Sequence, residues 1–409
     1  MSQGILRFPR RDVPGSASPV RSARICFAAT LAVLVVGLVP LPSGWNAART
    51  ALDSARLSEL SRSEREANVP GYYEGLIGGG NGSAQGARSE LSLRLLGKPA
   101  QWTRDNARDI TQHLTGDFLQ FELVPNQDKV FLDRPFRTNP QGQRDHPYTR
   151  EKPSGTFRIA VLGSSMDMGW GVTTEETYVN LLEGWLNEHA AKRGVDRRFE
   201  VLNFAVAAYA PLQRLESYRR KAREYQPDMV IYSATLLDLR LTEIHLCDVY
   251  SDNVKDLPYE FLRRIVAESG LNDDDLRRDA EGRLFTKERI KQKLRPRYWS
   301  IYDGVLGTLA ADCRSEGLPL ACVIVPRVGS ADAPEARAET VARLRGIAAH
   351  HALTLFDLSN TFDHVDPSQL EIAAWDDHPN ALGHKRLFLA LARHLVKDRT
   401  LYDTLFPAH

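Results

Sequence analysis

Five short apolar segments, separated by stretches with helical spacing, constrain the fold of this chain more than any other feature. They are rich in β-branched residues and cover 159–162, 200–204, 229–232, 320–325 and 353–356. Continuous apolar runs of this length are typical of parallel strands that are buried on both faces. Because parallel strands joined by helices cross over with one hand, we expect a three-layer α/β domain built on a doubly wound parallel sheet.

A serine follows the first of these strands, at the edge of the sheet where ligands bind in such folds. The segment 158–172 runs from the apolar strand into Gly163 and Ser165 and then to two further glycines. We expect Gly163 to turn the chain sharply, because glycine accepts backbone angles that other residues resist. Ser165 would then lie at a helix start beside unpaired N–H groups, which suits a nucleophile. From this segment alone, a phosphate- or nucleotide-binding turn and a plain strand–turn–helix stay open.

A second polar segment lies near the C-terminus, just before an apolar helical run. It contains Asp376 and His378, followed by Pro379 and Asn380, which we expect to form a turn and a helix cap. The carboxylate of Asp376 can fix the tautomer of the His378 imidazole, whose other ring nitrogen can take a proton from a serine. Asp377 is the weaker candidate for this role, because adjacent side chains on a loop diverge.

Together these segments resemble the SGNH/GDSL hydrolase superfamily, whose nucleophilic serine lies in Gly-Asp-Ser-x-x-x-Gly and whose acid and histidine share a C-terminal loop. The resemblance covers roughly residues 137–398. It implies a flavodoxin-like sheet, with Ser165 as nucleophile, His378 as base and Asp376 as acid. The usual acid position, three residues before the histidine, is Trp375 here. The Asp-x-His spacing is instead similar to that of membrane-anchored bacterial polysaccharide O-acetylation proteins of the alginate type.

The middle of the chain departs from the superfamily at the groups that would bind an oxyanion. Ala208 stands where the superfamily has a glycine, and alanine keeps the backbone N–H. The resemblance therefore implies an oxyanion hole formed by the N–H groups of Ser165 and Ala208. Leu237 stands where the superfamily has an asparagine donor, before a matching Asp238, and Ser164 replaces the usual aspartate beside the nucleophile. These departures predict slow hydrolysis in water.

The resemblance implies acyl transfer through a covalent serine ester. With water as acceptor the protein is an esterase, and with a glycan hydroxyl it is an O-acyltransferase. We expect a carbohydrate ester, acetyl being the expected acyl group, with no cofactor and no metal. The alternative is a membrane-anchored glycan-binding or assembly component whose site has degenerated. Leu237 and Ser164 favour that alternative, whereas Ser165, Asp376 and His378 argue against it.

The N-terminal segment predicts the compartment. Several arginines precede an apolar stretch in which Thr30 is the only clearly polar residue. About 17–20 apolar residues suffice to span a bilayer. Because upstream arginines hold the N-terminus inside, we expect a cytoplasmic tail at 1–24, an inner-membrane anchor at 25–42 and the remainder outside. A cleaved signal peptide is the alternative.

Beyond the anchor we expect an arm and linker at 43–136 and a hydrolase-like domain at 137–400, with a cap insertion at 239–300. His245 and Arg327 could enter the pocket, with structural packing as the alternative. The 409 residues, 43% hydrophobic and 26% charged, suffice for one large domain with accessory segments. The net charge of +1 gives no general attraction to nucleic acid. The four cysteines show neither metal-ligand spacing nor a disulfide framework, and no protein partner is indicated.

Overall fold

The computed structural model describes residues 106–329, 334–373 and 376–407, and all structural statements concern these ranges. The predicted anchor, most of the arm and Trp375 lie outside the described residues. The strands are β1 (Thr111–His113), β2 (Phe121–Leu123), β3 (Asp128–Phe131), β4 (Arg134–Arg137), β5 (Thr156–Leu162), β6 (Arg198–Asn203), β7 (Met229–Thr235), β8 (Leu320–Val325), β9 (Thr354–Asp357), β10 (Glu371–Ala373) and β11 (Asp376–Pro379).

The helices alternate with the later strands, as the sequence pattern predicts. They are α1 (Ser165–Met168), α2 (Tyr178–Arg193), α3 (Pro211–Arg220), α4 (Asp238–Ser251), α5 (Glu260–Glu268), α6 (Glu288–Leu294), α7 (Tyr298–Ser315), α8 (Pro334–His350), α9 (Ala381–Lys397) and α10 (Arg399–Leu405). Short 3₁₀ turns cover Ala107–Asp109, Ala222–Tyr225, Arg295–Arg297 and Pro367–Gln369. None of the helices in the described ranges is long and apolar enough to cross a membrane.

The central sheet has five parallel strands in the order β6-β5-β7-β8-β9. Numbered along the sheet's own strands, this is the order 2-1-3-4-5 of flavodoxin-like folds, in which the chain reverses direction across the sheet between the first and third strands. All five predicted strand segments lie in this sheet, so the predicted doubly wound α/β fold is confirmed. Ligands of such sheets bind at the switch point, which here lies beyond the ends of β5 and β7.

Helices cover both faces of the sheet because successive strand residues point to opposite sides. In β5, Ile159 and Val161 pack under α2, α9 and α10, whereas Ala160 and Leu162 pack under α3, α4 and α7. Helices α5 and α6, from the predicted cap insertion, contribute Leu262 and Ile290 to the second of these hydrophobic cores.

Two small antiparallel pairs, β1–β2 and β3–β4, precede the sheet. Their buried aromatic residues, among them Phe131 and Phe136, form a third cluster with Met168 and Trp170, just after the nucleophile turn. These short strands therefore pack against the loops at the carboxyl edge of the sheet.

Candidate active site

The nucleophile turn joins β5 to α1. Gly163 does not adopt a left-handed conformation, so the predicted reason for this glycine is wrong. A Cβ atom at 163 would lie 2.1 Å from Oδ2 of Asp167, so the position must be glycine because that carboxyl packs against it. The backbone N–H of Ser164 and the hydroxyl of Tyr178 donate to Asp167 over 2.7 and 2.6 Å. These contacts fix the turn from which Ser165 begins the helix.

Three predicted residues form one line of hydrogen bonds at the carboxyl edge of the sheet. Nε2 of His378 lies 2.8 Å from Oγ of Ser165, and Nδ1 of the same ring lies 2.5 Å from Oδ1 of Asp376. Asp376 and His378 both lie in β11 and are buried. With a proton on Nδ1, the ring presents a lone pair on Nε2 to the serine hydroxyl, which is the arrangement that a general base requires.

Trp170, which was not predicted to have a role, contacts both the acid and the imidazole of this hydrogen-bonded line. Its indole N–H donates to Oδ2 of Asp376 over 3.0 Å, and its ring stacks on His378 at 5.4 Å between centroids. Burial alone would raise the pKa of Asp376, but the charge of His378 and the hydrogen bonds from His378 and Trp170 outweigh it and lower that pKa. The available signal was a large aromatic residue between two glycines, directly after the nucleophile motif.

A buried arginine holds the loop that carries this tryptophan. The guanidinium of Arg144 donates to the carbonyl oxygens of Met168, over 3.1 Å, and of Gly169 and Val172. Burial lowers the pKa of Arg144 to about 10, so it stays charged at neutral pH. No sequence pattern indicates this role of Arg144, because its partners are backbone carbonyl oxygens and not side chains.

The two adjacent aspartates of β11 have different partners. Asp376 contacts His378, whereas Asp377 forms a buried ion pair with Arg327, which follows the end of β8. The ligand atoms of these acids and of His378 lie close enough together to suggest a metal site. Each is engaged with another protein group, however, so the arrangement is complete without an ion.

The predicted oxyanion donors lie side by side. Ser165 and Ala208 line the same pocket, and within the described residues neither backbone N–H has a hydrogen-bond acceptor. Ala208 adopts the left-handed conformation with φ of 65°, which glycine accepts at no cost and alanine accepts at a cost of about 1–2 kcal/mol. This position therefore holds a left-handed conformation with alanine instead of glycine.

Leu237 is the residue immediately before α4, and it lines the same pocket. Asp238, which matches the superfamily, points elsewhere: its carboxylate accepts both terminal nitrogens of buried Arg214 at 2.7 and 3.0 Å. The pocket has a volume of about 10 Å³, which is room for about one water molecule. Besides Ser165, Ala208 and His378, the residues that enclose it are Ala107, Ser164, Trp170, Ala207, Leu237 and Leu241.

Neither additional candidate enters this pocket. His245 is buried against Phe118, with ring centroids 4.9 Å apart, and its Nε2 lies 2.7 Å from the carbonyl oxygen of the same residue. Burial lowers the pKa of His245 to about 4, which keeps the ring neutral. Arg327 is occupied by Asp377. Structural packing therefore describes both residues.

Comparisons with known proteins give similarity only to solved structures: no protein-family model and no curated protein sequence matches this chain. An acetylxylan esterase from Geobacillus stearothermophilus matches with 16% identity, over 58% of this chain and 94% of the esterase, at a TM-score of 0.38. An α/β hydrolase from the metagenome of Lake Arreo, Spain, matches with 18% identity over 58% and 94%, at 0.36. A two-domain esterase active on acetylated mannans matches with 14% identity at 0.36, over 60% of this chain but only 50% of its own length.

Because these identities and TM-scores are low, the fold and the superfamily resemblance must be judged from the features of this chain itself. The order of the strands and the nucleophile turn at the switch point agree with the predicted type of fold. The line from Asp376 through His378 to Ser165 joins segments more than two hundred residues apart, as the two end motifs require. These features agree with the resemblance to the SGNH/GDSL hydrolase superfamily.

Proposed function

We propose that this protein is a serine-dependent O-acyl ester hydrolase or O-acyltransferase that acts on a carbohydrate ester, with acetyl as the acyl group. The observation that carries the proposal is the contact of Ser165 Oγ with Nε2 of His378, whose Nδ1 contacts Asp376. A hydroxyl on a buried imidazole that is itself oriented by a carboxylate is the arrangement of an activated serine nucleophile.

The reaction follows from these contacts. Nε2 of His378 takes the proton from Ser165 as Oγ attacks the ester carbonyl, and ionised Asp376 stabilises the imidazolium. The N–H groups of Ser165 and Ala208 hold the oxyanion of the tetrahedral intermediate. The imidazolium then protonates the leaving alcohol, which leaves an acyl group on Oγ. The oxygen of an acceptor hydroxyl, from water or a sugar, then attacks the acyl carbonyl while Nε2 takes its proton. The imidazolium returns this proton to Oγ as the bond between Oγ and the acyl carbon breaks, so the acyl group leaves on the acceptor and Ser165 is restored.

The size of the pocket favours acetyl. Trp170, Leu237 and Leu241 close around Ser165 and leave about 10 Å³. An acetyl group needs a small outward shift of these side chains, and each further methylene needs a larger one, which in a packed apolar wall costs about 1–3 kcal/mol. The carbohydrate part of the substrate must therefore lie outside this pocket, on the alcohol side of the ester.

The same wall bears on the choice between hydrolysis and transfer. Leu237 puts an apolar side chain beside the site where water would attack the acyl-enzyme. Excluding water lengthens the life of a reactive intermediate and favours an acceptor that brings its own binding energy. We therefore favour a glycan hydroxyl as acceptor.

The extracytoplasmic setting is part of the proposal and rests on the arginines before residue 25 and on the apolar stretch at 25–42. Protein extracted from membranes should keep its first 45 residues. An N-terminus that begins near Ala48 would instead show that the segment is a cleaved signal.

The test is labelling of the purified chain with a fluorophosphonate probe, combined with hydrolysis of a small aryl acetate. Wild type should be labelled, and both Ser165→Ala and His378→Ala should lose labelling and about 10⁴–10⁶-fold of the turnover. Because triad members act as a unit, the double variant should lose no more than either single variant. Ser315→Ala, at an exposed serine in α7, is the matched control and should behave as wild type.

Two outcomes would contradict the proposal. Labelling that persists in well-folded Ser165→Ala would move the nucleophile elsewhere. A folded wild type that is neither labelled nor active on any acetyl ester would favour the alternative, a degenerate site in a glycan-binding component. The apolar side chain of Leu237 in the pocket lining is the observation that favours this alternative.

A further inference from the structure

A second group of histidine and aspartate residues lies outside the candidate active site. Asp303 is in α7, His350 is the last residue of α8, and His351 follows it. Nδ1 of His350 lies 3.1 Å from Oδ1 of Asp303, and Nε2 of His351 lies 3.0 Å from the same oxygen. Two imidazoles from consecutive residues therefore converge on one carboxylate oxygen from a neighbouring helix.

The distances suit a tetrahedral metal ion. Zinc binds histidine nitrogen and carboxylate oxygen at about 2.0–2.2 Å, which separates two ligand atoms of a tetrahedron by about 3.4 Å. The observed separations are 3.1 and 3.0 Å, and all three ligand atoms lie within 4.8 Å of one another. Outward shifts of a few tenths of an ångström, within the reach of side-chain rotation, would open the space for an ion.

Helix α7 is shaped to leave room for one of these rings. A Cβ atom at Gly307 would lie 2.7 Å from Cε1 of His351. An alanine there would push the imidazole away, so the glycine lets it approach α7 and aim Nε2 at Asp303. The rings of His350 and His351 lie 4.5 Å apart between centroids at an angle of 36°, which allows both to point at one centre.

Simple hydrogen bonding is the competing explanation. Two neutral imidazoles could each donate an N–H to Oδ1 of Asp303, or charged rings could pair with it at the negative end of α8. A metal ion requires a lone pair instead, so each ring must carry its proton on the other nitrogen. The two explanations therefore differ in what added metal does at a pH where the rings are neutral.

We propose that Asp303, His350 and His351 bind a divalent transition-metal ion, Zn²⁺ in the first place. Two imidazoles with one carboxylate are ligands that zinc prefers and that Mg²⁺ and Ca²⁺ do not. Asp303 and His350 line an open hollow of about 820 Å³, from which water would reach the ion and complete the tetrahedron. Glu268, Arg264 and Arg343 also line this hollow, so its charges are mixed.

The ion would fasten α7 to the end of α8, just before the chain enters β9. A ligand that binds only the folded state stabilises it in proportion to the logarithm of its concentration over Kd. The site uses no residue of the candidate active site, so it stands or falls independently of the proposed function. Asp303 lies 47 residues before His350 in the chain, so no local sequence motif indicates the site.

The test is titration of the tag-free chain with zinc chloride at pH 7.5, read by calorimetry and by thermal unfolding. We expect one ion per chain and an unfolding temperature that rises with zinc but not with magnesium. Each of Asp303→Asn, His350→Ala and His351→Ala should weaken binding at least about tenfold. Gly307→Ala, which removes no ligand, should weaken it too by displacing His351.

The matched control is His113→Gln. His113 also pairs with a carboxylate, Asp252, over 2.9 Å, but no second imidazole from the described part of the chain joins them. This variant should bind zinc as tightly as wild type. Zinc binding that is equally strong in wild type and His351→Ala, or absent from wild type at about a hundred micromolar zinc, far above the Kd of structural sites, would overturn the proposal. Circular dichroism of each variant without metal excludes misfolding as the reason for lost binding.

Discussion

The two sides of the candidate pocket are built differently. On the nucleophile side, the carboxylate, the imidazole and the serine hydroxyl each have a partner, and Trp170 covers the line of hydrogen bonds. On the oxyanion side, an alanine holds a backbone angle suited to glycine, and Leu237 occupies the position of a polar donor. The nucleophile side is therefore complete, whereas the oxyanion side has backbone donors only.

This difference separates two steps of the proposed reaction. Activation of Ser165 depends on the ordered line of charged and polar groups. The rate at which each tetrahedral intermediate forms depends on the donors that bind the oxyanion. In another enzyme, one side-chain donor stabilises the transition state by about 2.7–4 kcal/mol. The chain would form its acyl-enzyme at a reduced rate and protect it from water. Substitutions on the two sides should therefore have effects of opposite sign.

Apart from substitutions of Ser165 and His378 themselves, the largest loss of kcat should come from substituting the acid. Asp376→Asn should lower kcat by about 10³–10⁴-fold, because an amide cannot hold the imidazole in the tautomer that presents a lone pair to Ser165. The neighbouring Asp377→Asn should retain most of kcat and instead lose stability, because it removes the charge that pairs with buried Arg327. Breaking such a pair typically costs about 3–5 kcal/mol.

Parallel kinetics and urea unfolding of both variants distinguish the two roles. If Asp377→Asn lost more turnover than Asp376→Asn while it remained folded, the role of the acid would pass to Asp377.

The next effect tests whether Trp170 positions the acid. Trp170→Phe keeps a ring over His378 but removes the N–H that donates to Asp376. A hydrogen bond to a charged group contributes about 1.5–3 kcal/mol, so kcat should fall about ten- to a hundredfold with KM nearly unchanged. Phe131→Leu is the control, because it alters the edge contact on the indole and leaves the N–H in place. Equal losses of kcat in both variants would mean that packing, not the hydrogen bond, accounts for the effect.

The sequence predicted the sheet and the two end motifs well because both are local signals. Each strand is a continuous apolar run, and Asp376 and His378 are separated by one residue. The supports of the site depend on contacts between distant segments. Trp170 meets Asp376 across 206 residues, and Arg327 meets Asp377 across 50. Nothing in the spacing of these residues along the chain indicates such pairs.

The need for glycine at position 163 was predicted from the sequence, but for the wrong physical reason. Flexibility was the expected role of Gly163, but its φ lies outside the left-handed region, and the constraint is the Asp167 carboxyl that packs against it. A close approach of this kind depends on a side chain from the following helical turn. A sequence shows that a glycine is present, but it does not reveal which atom occupies the space that a Cβ would need.

A gain of activity should follow from restoring the donor on the oxyanion side. Leu237→Asn should raise hydrolysis of an aryl acetate by about tenfold, since recovering about 1.4 kcal/mol of oxyanion stabilisation is enough. It should also lower the ratio of transfer to hydrolysis when an acceptor oligosaccharide is present, because the pocket becomes less apolar. Leu237→Ala is the control, because it opens the pocket without adding a donor.

Folding of the Leu237→Asn variant must be checked first, because a buried unpaired amide costs about 1–3 kcal/mol. Hydrolysis that is unchanged or slower in a well-folded variant would show that this position does not face the oxyanion.

The smallest effect should come from Ala208→Gly, and it separates backbone conformation from hydrogen bonding. The variant keeps the N–H and removes the Cβ that makes φ of 65° unfavourable, a relief of about 1–2 kcal/mol. Glycine also makes the unfolded chain more flexible, which opposes this gain by about 0.5–1 kcal/mol. The net change in the free energy of unfolding should thus lie between about zero and about 1.5 kcal/mol, towards greater stability. Because the donor stays in place, kcat should stay within about twofold of wild type. A large rise in kcat would mean that alanine holds the N–H out of line, and that the weakness of the oxyanion side lies in the backbone at Ala208 and not only in the side chain of Leu237.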